Sequence, residues 1–156
     1  LRYLDESMCK GGLRRVKIIE TDGKVLAKLI PVSEWTEGLS FFSQDDEPLQ
    51  AGTWNYQAGT KLPAHIHNEA HRIIKRTNEV LYIYSGGVMA SIYDEEENLI
   101  EELQLQEGDV LILLAGGHGY RILDNAAKVL EKEPSAAAAL ERFPSILTLS
   151  HDSYKI

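Results

Sequence analysis

The side chains of this chain best suited to chemistry are its histidines, three of which, His65, His67 and His71, fall within seven positions. His65 and His67 are separated by one residue in a stretch of alternating polarity, so on a strand both imidazoles leave one face and can converge on a single ion. Glu79 opens the next apolar-rich run and faces the same interior if the two strands pair, while His118 follows a Gly116-Gly117 turn after a later run. Three imidazoles and a carboxylate form a donor set of borderline-to-hard character. It suits one divalent transition metal (Fe, Mn, Ni, Co or Zn) and not Cu(I) or an iron–sulfur cluster. A lone His-x-His pair more often meets solvent or a structural hydrogen bond than a metal, and the further donors raise this one above that background. The single cysteine, Cys9, offers neither a thiolate cluster nor an intrachain disulfide.

Positioning those donors is the task of short, β-rich elements. From residue 16 onward apolar and β-branched residues recur with period two between turn residues, the signature of strands. A hairpin is expected over residues 16–20 and 25–30, because Asp22-Gly23 supplies the positive φ angles of a tight turn. Further strands are expected at 53–57, 61–67, 79–85, 88–93, 99–104, 110–114, 120–123 and 128–131, with 33–50 read as an ordered, turn-rich loop. After Pro134-Ser135, four alanines and a leucine predict a short C-terminal helix over 134–143. The result is an all-β barrel or sandwich: an N-terminal extension (1–15), one β domain (16–133) and a C-terminal helix and tail (134–156).

Composition narrows the partners. The 156 residues carry 16 Lys and Arg against 24 Asp and Glu, a formal net charge of -8, which gives no general attraction toward phosphate backbones or anionic lipid. Neither a nucleic acid nor a membrane is expected. No apolar run approaches the ~20 residues of a bilayer span, and Arg2, Asp5 and Glu6 stand where a signal peptide needs apolar residues, so a cytoplasmic location is expected.

Gly59, five residues, His65, one residue, His67, and later Glu79, six residues and Gly86, followed by Gly108-Asp109 and Leu114-Ala115-Gly116-Gly117-His118, resemble the two sequence motifs of the cupin superfamily. The resemblance spans roughly residues 53–132. It implies a small jelly-roll β-barrel in which His65, His67, Glu79 and His118 are the metal ligands. The chain departs from the pattern in having eleven residues, 68–78, between His67 and Glu79 where the family usually has three or four, and this insertion puts His71 where an uninserted motif carries its glutamate. Leu114 also replaces the family's usual proline.

The insertion contains His71-Arg72-Ile73-Ile74-Lys75-Arg76, a basic stretch in an acidic chain. One reading is an anion clamp in which Arg72, Lys75 and Arg76 bind substrate at the barrel mouth; the other pairs these charges with surface acids such as Glu69 or residues 94–97. His71 is the candidate general base, and Tyr120, of the same strand parity as His118, a second catalytic candidate. The aromatic pairs Trp54/Tyr56 and Tyr82/Tyr84 suit a core or a homodimer interface. The resemblance implies a metal-dependent enzyme acting on a small anionic or sugar-like molecule, of isomerase, epimerase or dioxygenase type. The alternatives are a metal-stabilised binding protein without turnover and a scaffold whose histidines bind nothing.

Overall fold

Asp22 and Gly23 both adopt positive φ, 50° and 74°, and join β1 (Lys17–Thr21) to β2 (Lys24–Ile30) through the tight turn that a right-twisted hairpin favours. The computed structural model describes residues 14–44, 47, 49–69 and 76–132. After a single 3-10 turn at Val32–Glu34 come β3 (Gly38–Phe41), β4 (Gly52–Asn55), β5 (Glu79–Ser85), β6 (Val88–Tyr93), β7 (Leu99–Leu105), β8 (Val110–Leu113), β9 (Gly117–Ile122) and β10 (Lys128–Lys132). The all-β class is therefore as the periodicity implies. Among the described residues no helix is long and apolar enough to cross a membrane. The N-terminal extension up to residue 13 and the expected C-terminal helix lie outside the described residues.

The strands form three antiparallel sheets: five strands in the order β1-β2-β8-β5-β10, three in the order β7-β6-β9, and the hairpin β3-β4. Alternation along each strand decides where the core sits. Leu29, Leu81, Ile83, Leu111 and Leu113 of the five-stranded sheet pack with Val88, Ala90, Ile92, Leu103 and Leu105 of the three-stranded sheet, all at most 5% exposed. Each buried leucine, isoleucine or valine stabilises the fold by about 1.5–3 kcal/mol relative to exposure, so this double layer is the main source of stability.

The opposite face of the five-stranded sheet is also covered. Ile30 and Ile112 are fully buried there, and Trp35 packs its ring 5.9 Å from that of Tyr82. Buried Lys28 donates to the Phe42 carbonyl at 3.0 Å and to Glu47 at 2.5 Å, which ties the segment after β3 down onto the sheet. Two expectations change. The segment 33–50 contains β3, which pairs with β4 residue by residue from Gly38↔Asn55 to Phe41↔Gly52. Residues 61–67, expected to be a strand, form none: Pro63 has no N–H for a ladder, every residue of the stretch is exposed, and its large apolar members Leu62 and Ile66 are 53% and 92% exposed.

Candidate metal centre

Glu79 is the first residue of β5, and its position is set from the residue before it. Asn78, 2% exposed, donates its side-chain amide to the Leu114 carbonyl at 2.9 Å, clamping the start of β5 to the end of β8. In the β5–β8 register Glu79 stands opposite Leu113, on the face that also carries Leu81 and Ile83, so its carboxylate enters the space between the two large sheets. His118 reaches the same space from β9, where it pairs with Ile92 of β6. The turn before it depends on Gly116, at φ 70°, because a Cβ there would collide with the Tyr93 carbonyl.

These two elements bring the Nε2 of His118 to 3.1 Å from the Oε2 of Glu79. That separation is within ion-pair range, yet the approach does not meet hydrogen-bond geometry, and Oε2 is sealed from solvent with no hydrogen-bond partner. An unsatisfied buried acceptor costs about 1–3 kcal/mol. Two donor atoms bound to one transition metal at about 2.1 Å in right-angle positions stand about 3 Å apart. The orphaned oxygen and the adjacent imidazole nitrogen therefore fit two neighbouring ligands of one cation. Tyr120 lies two residues along β9 with its ring 5.2 Å from that of His118, so the parity expected from the sequence brings these two together.

His65 and His67 form a second pair. Their ring centroids are 4.9 Å apart, edge to face, and His65 Nδ1 is 3.2 Å from the Pro63 carbonyl. Both rings are exposed on the irregular segment between β4 and β5. The expectation that a strand aims these two imidazoles is corrected: they are neighbours through local chain path, because the segment has no ladder to set its face. Among the described residues no group of three or more His, Cys, Asp or Glu side chains surrounds one point, so the four expected ligands stand as two pairs. His71, Arg72 and Lys75 lie outside the described residues.

Arg76 is described, and it is paired: its guanidinium meets Glu95 in the β6–β7 turn, and Lys24 of the β1–β2 hairpin holds the same carboxylate at 2.5 Å. The hydrogen bond from Lys24, with the Arg76 contact added, keeps the Glu95 carboxyl below its ordinary value against a smaller opposing desolvation effect. Beside it Asp94 is also lowered, chiefly by the Asn98 side-chain amide at 3.0 Å, with the Glu96 and Asn98 backbone N–H groups donating as well. Trp54 lies 5.9 Å from Tyr56 and is 59% exposed, so this pair is not core. Asn78 is the positioning residue that sequence reasoning missed; its only signal was a polar amide directly before an apolar strand. No protein-family model, curated protein or solved structure matches the chain.

Proposed function

We propose that the chain is a cupin-type metalloprotein that binds one divalent transition metal, with Glu79 and His118 as the ligands held by the fold and His65 and His67 completing the set. The observation that carries this reading is the solvent-sealed Oε2 of Glu79, without a hydrogen bond and 3.1 Å from His118 Nε2. When bound, a metal here supplies Lewis acidity toward a substrate oxygen. The chain's own contribution is orientation. Asn78 fixes the origin of the carboxylate, the Gly116 turn fixes the imidazole, and the Leu81–Leu111 layer behind them excludes water from the inner end of the site.

The substrate class is a small anionic or sugar-like molecule, and the reaction is of isomerase, epimerase or oxygenase type. The anion reading rests on the basic character of residues 71–76 in the sequence; Arg76 itself pairs with Glu95 in a turn that also carries Asp94, Glu96 and Glu97. Tyr120, whose ring is 5.2 Å from that of His118, is the proposed substrate contact, and His71 is the proposed base. A homodimer is proposed on the row Leu39, Phe41 and Trp54, which lies on one face of the β3–β4 hairpin and is 53–59% exposed. Elemental analysis of the full chain purified without added metal tests the central reading. About one transition metal per chain is the expected result, and a metal-free protein that fails to take up Fe, Mn, Ni, Co or Zn overturns it.

A further inference from the structure

The five-stranded sheet separates two compartments. Odd-numbered residues of β5 and β8 face the inter-sheet core, whereas Val80, Tyr82, Val110 and Ile112 face the other way, toward the β3–β4 layer. Between that face and its cover lies a cavity of about 350 Å³. This volume falls in the range of small-molecule sites, about 300–1,000 Å³. Its floor is Val80, Val110 and Ile112, and three aromatic residues, Trp35, Phe42 and Tyr82, line it, the rings of Trp35 and Tyr82 standing 5.9 Å apart and tilted by 40°. Rings in this arrangement receive a flat apolar group in offset or edge contact, at centroid distances of about 4.5–7 Å.

Charge enters the lining at one place. Among the described residues Lys132 is the charged member, and no carboxylate lines the cavity. In the β10–β5 register Lys132 stands opposite Val80, so it belongs to the sheet face that forms the floor, and it is exposed, at the solvent side of the cavity. Lys28, on the same face, is neutralised by Glu47 at 2.5 Å. These positions set the sign and the place of a guest's charge. A cationic head would meet Lys132 as a like charge, and a charge carried deep among the aromatic side chains would lose its hydration without a counter-ion, whereas a negative head at the rim keeps both water and Lys132. Lys132 also engages a neighbour within the fold; its ammonium has three donors, so a carboxylate joins that contact without having to displace it.

We infer that this cavity is a binding site for a small monocarboxylate with a flat apolar body, the body lying on Val80, Val110 and Ile112 and the carboxylate meeting Lys132 at the rim. The site lies across the sheet from Glu79 and His118, and the inference does not depend on any metal being bound there.

Cinnamate, cinnamyl alcohol and cinnamylamine share one flat body and differ in the charge of the head, negative, neutral and positive; each is titrated into the full chain by ligand-observed NMR. Cinnamate is expected to bind about two- to fivefold more tightly than the alcohol, the range of one exposed ion pair, and the amine is expected to bind weakest. Lys132→Gln should bring cinnamate and the alcohol to equal affinity, and Val80→Phe, which fills the floor, should weaken all three. Lys132→Gln changes an exposed position at the end of β10, which keeps the test decisive if Val80→Phe folds poorly. Four results overturn the inference: no cinnamate binding to the full chain, a preference for cinnamate that persists in Lys132→Gln, cinnamate affinity unaltered in Val80→Phe, or binding lost on Glu79→Gln, which would move the probe to the inter-sheet site.

Discussion

At the scale of single residues, the decisive atom is the Oε2 of Glu79. A carboxylate oxygen buried without a hydrogen bond is costly, and under the proposed metal reading a cation removes that cost while drawing in the neighbouring imidazole. Glu79→Gln should therefore lower metal content several-fold while keeping the side-chain volume, and His118→Ala should do the same; retention of full occupancy in both, measured by elemental analysis, would show that the pair is not a ligand pair. Glu95 makes a different prediction. Its folded pKa lies below its ordinary value of 4.5, so its pairing with Lys24 and Arg76 stabilises the fold fully above that pH and is lost as the pH falls below it toward the folded pKa. Glu95→Gln should flatten the acid limb of stability below about pH 4.5 and leave neutral-pH metal content intact; melting curves from pH 7 to pH 3 decide it, and an unaltered acid limb counts against the linkage.

At the scale of elements, turns carry the long-range connections. Asp109 in the β7–β8 turn is fully buried, takes the Arg14 guanidinium at 2.5 Å and the Gln106 N–H at 3.0 Å, and lies 3.3 Å from the Val32 N–H. One carboxylate thus joins the entry to β1, the 3-10 turn and β8. Removing it strands a guanidinium and two backbone donors, so Asp109→Ala should cost about 3 kcal/mol in urea unfolding. Lys17→Ala, which breaks only the exposed pair with Glu101, should cost under about 1 kcal/mol. Equal effects of the two substitutions would reject that ranking. Gly116→Ala forces a Cβ against the Tyr93 carbonyl and displaces β9 at its first turn, so it should reduce metal content without touching a ligand.

The same elements show what a sequence reader can and cannot see. The β1–β2 hairpin was legible because Asp22-Gly23 determines its turn locally, and β5 and β6 because runs rich in apolar and aromatic residues lie between Asn78, Gly86-Gly87 and Asp94. Residues 61–67 carry a strand-like pattern around His65 and His67 and form no strand, since such a pattern shows which face a strand would bury without supplying a partner. β3 was hidden because four residues within an acidic, turn-rich stretch give too short a pattern; Leu39 and Phe41 flanking Ser40 were its trace. The approach of His118 to Glu79 came from family resemblance rather than local spacing, because 38 positions of chain between them leave their distance to the sheet topology.

For the whole molecule, the arrangement is a double β layer with a smaller third layer on one side. Self-association through Leu39, Phe41 and Trp54 should appear as a dimer in sedimentation, and Trp54→Arg should shift it to monomer with little change in melting temperature; a monomer at high concentration without substitution rejects that interface. The alternation of β5 has a consequence for how such a protein can change over generations. Adjacent positions on one strand, Glu79 and Val80 or Leu81 and Tyr82, belong to separate rooms, so a point mutation acts on the chemistry of one and leaves the shape of the other untouched. An insertion or deletion of a single residue inside β5 would exchange the two, putting Tyr82 where the leucine layer belongs and Glu79 against the third layer. This strand can thus accumulate substitutions freely and tolerate almost no change in length.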